Sequence, residues 1–169
     1  MRKIAYFLLL SLPFLIATSD NDFNNPSEYY PVLMDRGELE KSVFFRETQE
    51  IKTTGKIYYK DNTIYLNELF KGIHVIDNTN PESPVNIGFI NIPGCIDIAI
   101  KNNSLLADNA IDLVTIDLSN GAQNLSVTSR VRNVFPESTP PDLDYIPYIF
   151  NHNNRPENTI IVGWKKSDN

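Results

Sequence analysis

From Gly55 onward, short apolar runs alternate with turn residues at the two-residue period of half-buried strands. Lys56–Tyr59, Thr63–Asn67, Gly72–Ile76 and Val85–Asn91 read as four strands, and Ile96–Ile100, Ser104–Ala107, Leu113–Ile116 and Asn124–Val131 as four more. Thr159–Trp164 reads as a further strand. The two sets align with each other. Lys60-Asp61-Asn62 answers Lys101-Asn102-Asn103, Ile64-Tyr65-Leu66 answers Leu105-Leu106-Ala107, and Val75-Ile76-Asp77 answers Thr115-Ile116-Asp117. The offset is 41 at the first landmark and 40 at the last, so the region is an internal repeat with one residue of slack. Asp61-Asn62 and Asn102-Asn103 suit tight hairpins, because Asn and Asp tolerate positive φ. Asp77-Asn78-Thr79-Asn80-Pro81 and Asp117-Leu118-Ser119-Asn120-Gly121 suit strand-end turns.

Upstream the pattern changes. Asp35 with Glu38 three residues on has the spacing of a capping box, which predicts one short helix within 35–43. Residues 20–34, polar and Asn-rich, are expected to form a flexible tether, and 35–54 the helix and its connection. At the start, Arg2 and Lys3 precede the apolar run Ile4–Ile16, which is shorter than the about 20 residues a membrane span requires. With Ala17 and Ser19 as small residues at a cleavage site, residues 1–19 read as a secretory signal peptide. The same segment resembles a bacterial lipoprotein signal except that Thr18 stands where Cys is required. A hydroxyl cannot form the thioether, so export is predicted and lipid anchoring is put in doubt at Thr18.

A four-stranded repeat of about 40 residues is the signature of a propeller blade. The predicted fold is therefore mainly β: an incomplete or partial β-propeller of four-stranded blades with one short N-terminal helix. Blade 1 falls at 55–94, blade 2 at 95–134, and a partial third segment at 135–164, within a repeat region of 55–169. A β-sandwich is the alternative architecture that the same spacing permits. Gly55 to Trp164 holds roughly two and three-quarter repeats, fewer than the four or more that usually close a ring. The expectation is an open arc, a ring completed by a partner, or a shortened member of a longer family.

Composition narrows the function classes. With 41% apolar and 21% charged residues among 169, the chain is of globular type. A net charge of −6 argues against nonspecific nucleic-acid binding, which needs Lys and Arg to neutralise phosphates, and against attraction to anionic lipid. Cys95 is the only cysteine, so there is neither an intramolecular disulfide nor a Cys-based metal site; its apolar neighbours predict a buried, inert thiol.

The segment 65–77, Tyr-Leu-Asn-Glu-Leu-Phe-Lys-Gly-Ile-His-Val-Ile-Asp, is followed by Asn80-Pro81, Pro84-Val85 and the strand Ile87-Gly88-Phe89-Ile90. It resembles the LVIVD repeat of bacterial β-propeller proteins. The second copy, Asp112-Leu113-Val114-Thr115-Ile116-Asp117, keeps the strand and its Asp but lacks the Pro-x-x-Pro continuation. From about Tyr30 to Trp164 the chain is also similar to exported, often lipid-anchored proteins of Bacteroidetes. The resemblance implies a propeller fold and a place outside the cytoplasm, and it hands over no catalytic residues.

No nucleophile elbow, P-loop, dinucleotide fingerprint, HExxH or EF-hand loop occurs in the sequence. His74, in mid-strand, reads as a hydrogen-bonded or exposed strand residue, and His152 as a solvated loop residue. The carboxylates at strand ends, Asp77, Asp97, Asp108, Asp112 and Asp117, are expected to cap turns. The alternative is a ring of acids, with Asp77, Asp112 and Asp117 as candidate Ca²⁺ ligands. Asp142 and Asp144 sit in a Pro-rich linker, and Tyr145–Phe150 suits an exposed apolar edge. Together these point to an exported, non-enzymatic propeller-type module that binds protein or glycan at the cell envelope. The alternative is an envelope hydrolase or Ca²⁺-binding enzyme using the strand-end carboxylates.

Overall fold

The structure, a computed structural model, describes residues 26–167. The expected signal peptide, Thr18 and the first part of the tether lie outside the described residues. The chain is mainly β, in antiparallel sheets, and no sheet closes on itself among the described residues.

The order is β1 (Tyr29–Asp35), α1 (Arg36–Lys41), β2 (Phe44–Arg46), β3 (Thr54–Lys60), β4 (Thr63–Glu68), β5 (Gly72–Asp77), β6 (Val85–Asn91), β7 (Ile98–Lys101), β8 (Ser104–Asn109), β9 (Asp112–Asp117), β10 (Ser126–Val131) and β11 (Thr159–Lys166). β3 to β6 form one antiparallel meander, with β2 added beside β6, and β7 to β10 form a second. Both repeat sets are thus sheets in their own right. The expected helix starts as its sequence suggests: Asp35 caps it by accepting from the N–H groups of Gly37 and Glu38.

The repeat extends to single hydrogen bonds. Lys60 pairs with Thr63 across a two-residue turn at φ 49° and 58°, the left-handed values that Asp61 and Asn62 tolerate. Lys101 pairs with Ser104 in the same way, with Asn102 at φ 53°. The Asn78 N–H donates to Asn62 O at 2.7 Å, and the Leu118 N–H to Asn103 O at 2.8 Å. The residue of slack sits in the next hairpin. Three residues separate the pair Glu68 and Gly72, but only two separate Asn109 and Asp112.

The two sheets stack head to tail. Tyr65, Ile73, Val75 and Ile90 of the first sheet share a buried core with Leu105, Ala107, Val114 and Ile116 of the second. By the repeat, Tyr65, Ile73 and Val75 correspond to Leu106, Leu113 and Thr115. Those three alternate with the core residues along β8 and β9, so they face away from the first sheet. The front of one repeat therefore packs on the back of the next. Each fully buried Ile, Val or Leu in this layer contributes about 1.5–3 kcal/mol over its exposed state.

Two segments depart from expectation. Residues 29–34 are not tether but most of β1, which pairs antiparallel with β11. Residues 44–46, expected within a connection, form β2 against β6. The partial third segment, 135–164, holds one strand, β11, and short 3-10 turns at Tyr148–Phe150 and His152–Asn154. Its partner strand comes from the other end of the described chain, giving a two-stranded terminal ribbon. Leu39 of α1, Ile111, Ile160 and Val162 pack together in a second buried cluster, and Met34 lies against it.

Candidate functional site

On the far face of the second sheet lies a cleft of about 680 Å³. Ala99, Leu106 and Leu113 line it from the sheet, Ile161 from β11, and Phe135 and Pro136 from the segment that follows β10. Gly94 lines it as well, at φ 78°, where a Cβ would come within 2.6 Å of Ala110 Cα; only glycine fits there.

The polar groups of the cleft are Lys56, Asp97, Asp108, Glu137, Ser138 and Thr139. Three of the four charged groups are already ion-paired. Lys56 Nζ donates to Asp97 Oδ2 at 2.7 Å, and Glu137 accepts from Arg155 at 2.5 Å. Asp108 has no cation beside it among the described residues. Its carboxylate accepts from the N–H groups of Ile96 at 3.0 Å and Asp97 at 2.7 Å. Burial nonetheless raises its pKa above the ordinary value, against those backbone bonds, and the Asp97 charge adds to the rise. The Cys95 thiol lies against Asp108 and is fully buried, and burial pushes its pKa well up. It is an inert core thiol, as its neighbours suggested.

The expected strand-end acids go to different tasks. Asp77 accepts from Thr79 N–H at 2.9 Å and Thr79 Oγ1 at 2.6 Å. Asp117 repeats the motif with Ser119, at 3.0 and 2.6 Å. These bonds hold both carboxyls below their ordinary pKa. Asp112 is buried between two guanidinium groups, with Arg36 at 2.9 Å and Arg130 at 2.8 Å, and also accepts from the Asn133 N–H at 3.0 Å. Burial alone would raise its pKa, but the bonds from Arg130, Asn133 and Arg36 outweigh it and hold the group ionised. Asp142 accepts from Ser27 Oγ at 2.7 Å and from the Glu28 N–H at 2.8 Å, tying the chain just before β1 to the linker. Among the described residues, no three His, Cys, Asp or Glu side chains converge as metal ligands would.

His74 is a hydrogen-bonded strand residue, fully buried. Its Nε2 lies 3.3 Å from Glu68 and its Nδ1 3.4 Å from the Asn86 amide, and its ring meets Phe89 edge to face. The amide donor at Nδ1 assigns the proton to Nε2. Glu68, also fully buried, accepts from the N–H groups of Thr53 at 2.8 Å and Lys52 at 3.0 Å. Burial alone would raise its pKa; the two N–H groups, with Lys71 and His74, instead take it down to about 2. His152 is exposed in a 3-10 turn. Tyr65 is in the core, while Tyr145 and Tyr148 stand exposed, as expected of that run.

Sequence reasoning singled out Asp97 and Asp108 but not their meeting with Lys56 in one cleft. Lys56 and Asp97 are 41 residues apart, one repeat length, so the internal repeat was the signal that would have placed them side by side. Glu68, Arg36 and Arg130 were missed altogether; a carboxylate at the last residue of a buried strand was the available sign for Glu68. No helix among the described residues is long and apolar enough to cross a membrane. No protein-family model, curated protein or solved structure matches the chain.

Proposed function

We propose that this chain is an exported, non-enzymatic binding module, a partial β-propeller of two stacked blades and a terminal ribbon, that holds an envelope ligand in its cleft. The observation that carries this reading is the cleft itself. At about 680 Å³ it has the size of a small-molecule or side-chain site. Its walls are mostly apolar, with polar groups from the sheet edge and from residues 137–139 among them, the usual composition of a ligand pocket. Ligands with apolar surface suit the Ala99, Leu106, Leu113 and Ile161 walls. Head-to-tail stacking and the repeated turns support the blade assignment, and the Arg2–Ser19 pattern supports export.

The test is a cleft-filling variant. Leu106 is half-buried on the cleft wall, so Leu106→Trp adds bulk into open space rather than into the core. A neutral hydrophobic dye such as Nile red is expected to brighten with the native protein and to stay dark with Leu106→Trp at an unchanged melting temperature. Equal brightening of both proteins overturns the cleft as the site, and turnover of ester, glycoside or peptide substrates by purified protein overturns the non-enzymatic reading.

A further inference from the structure

Resting on the cleft being the ligand site, we infer that its ligand is a small amphipathic cation: an apolar body with one ammonium or guanidinium group. The charge balance of the cleft carries that inference. The cleft-lining side chains carry three carboxylates, Asp97, Asp108 and Glu137, against one cation, Lys56. Glu137 is neutralised from behind by Arg155, whose side chain is 4% exposed. Asp108 is the one carboxylate of the cleft that makes no ion pair among the described residues: it accepts from two backbone N–H groups and the neutral Cys95 thiol, half-buried beside apolar walls, where a charge without a counter-ion is costly.

Lys56 already demonstrates the geometry. Its ammonium sits at 2.7 Å on Asp97 Oδ2, on a side chain that is 62% exposed and free to swing out. The Asp97 N–H donates to the Asp108 carboxylate, so the two acids are locked side by side. A ligand ammonium placed there takes over the position of Lys56 at Asp97 and supplies the charge that Asp108 lacks, while its apolar body lies on Leu106, Leu113 and Phe135. An anion in the same place would face two carboxylates.

The experiment compares three probes that share a 1-naphthylmethyl body: 1-naphthylmethylammonium, 1-naphthalenemethanol and the carboxylate 1-naphthaleneacetate. Each is titrated into isotopically labelled protein and followed by amide shifts at Ile96–Ala99, Leu106–Asp108 and Phe135–Thr139. The cation is expected to bind about five- to tenfold tighter than the neutral alcohol, and the anion more weakly than either. The preference is expected to shrink with added salt. Asp97→Asn, at an exposed position, removes one charge without threatening the fold and is expected to reduce the cation's advantage; Asp108→Asn is expected to abolish it. Equal binding of all three probes in the native protein overturns the cation inference and leaves the cleft as a site. Binding of the cation with unchanged preference in both variants also overturns it. Failure of every probe to move the cleft amides overturns the cleft reading itself.

Discussion

Replacing Asp112 by Ala strips the acceptor from two guanidinium groups at once and leaves the Asn133 N–H without its partner. Breaking a buried ion pair from one side costs about 3–5 kcal/mol, because the remaining charge is left uncompensated. Here the Arg36 and Arg130 side chains keep 21% and 12% of their exposure, so water can partly rehydrate them, which favours the lower end, about 3 kcal/mol. For a folded body of this size, 1 kcal/mol moves the melting midpoint by about 2–4 °C, so Asp112→Ala is expected to lower it by about 6–12 °C. Circular dichroism melts and urea titrations with matched m-values measure both quantities. Combining Asp112→Ala with Arg130→Met should recover part of the loss, since the double variant removes one orphaned charge along with its partner. The pH dependence has a fixed sign. Asp112 is held below its ordinary pKa, so its contribution is complete above the unfolded value near 3.9 and fades as pH falls through the lower folded value. The gap between native and Asp112→Ala stabilities should therefore narrow in acid. A melting midpoint within about 2 °C of native at neutral pH would refute the reasoning.

Four further outcomes follow. Glu68, at about 2 in the folded state against about 4.3 unfolded, contributes about 3 kcal/mol at neutral pH that is lost as pH falls from about 4.5 towards 2; Glu68→Gln should flatten acid unfolding over that window, and an unchanged acid limb would contradict it. Asp77→Ala and Asp117→Ala remove only exposed turn bonds, so each should change the melting curve slightly and identically with and without EDTA; a shift seen only with Ca²⁺ would restore these acids as metal ligands. Cys95 should resist a thiol reagent in native buffer and react at the global unfolding rate, which a comparison of labelling with denaturant-jump kinetics can test. Gly94→Ala forces a side chain at φ 78° against Ala110 and should destabilise the chain by more than about 1 kcal/mol; a neutral effect in urea titration would refute the requirement for glycine at 94.

Most strands were readable because they are short apolar runs separated by turn residues such as Asp61-Asn62, Asn78-Thr79-Asn80 and Asn102-Asn103, all local properties of the chain. Helix α1 was readable for the same reason: Asp35 and Glu38 are three residues apart. Strand β1 was not, because its Asn-rich approach and Pro31 look like coil, and its pairing with β11 joins residues more than a hundred positions apart. Strand β2 spans three residues beside a helix and is extended only because β6 offers an edge. Asp112 was noticed as an acid at a strand end, but its meaning depends on Arg36, 76 residues away, and on Arg130, 18 away. The cleft draws on β3, β7, β8, β9, β11 and the 135–139 segment, and no local pattern announces such a meeting.

The two ends of the stack are finished in different ways, and the difference accounts for the cleft. At the back of the first sheet, His74 occupies the position that Val114 holds in the second, and where Val114 meets apolar neighbours, His74 meets Glu68 and Asn86. Arg46 lies over the Phe89 ring at 5.1 Å, and residues 52 and 53 close over Glu68 through their N–H groups. A polar network thus replaces the missing neighbour, as in the terminal repeats of stacked proteins. At the front of the second sheet, the covering element is the β1–β11 ribbon. Strands lie about 4.8 Å apart, so a ribbon of two spans roughly half the width of a four-stranded sheet. The 135–139 segment, with Pro136 lacking an N–H, joins no sheet among the described residues and lines the cleft instead. Leu106 and Leu113 of the sheet line the same space. The cleft therefore lies between the second repeat and elements narrower than a full sheet: the β1–β11 ribbon, through Ile161, and the 135–139 segment.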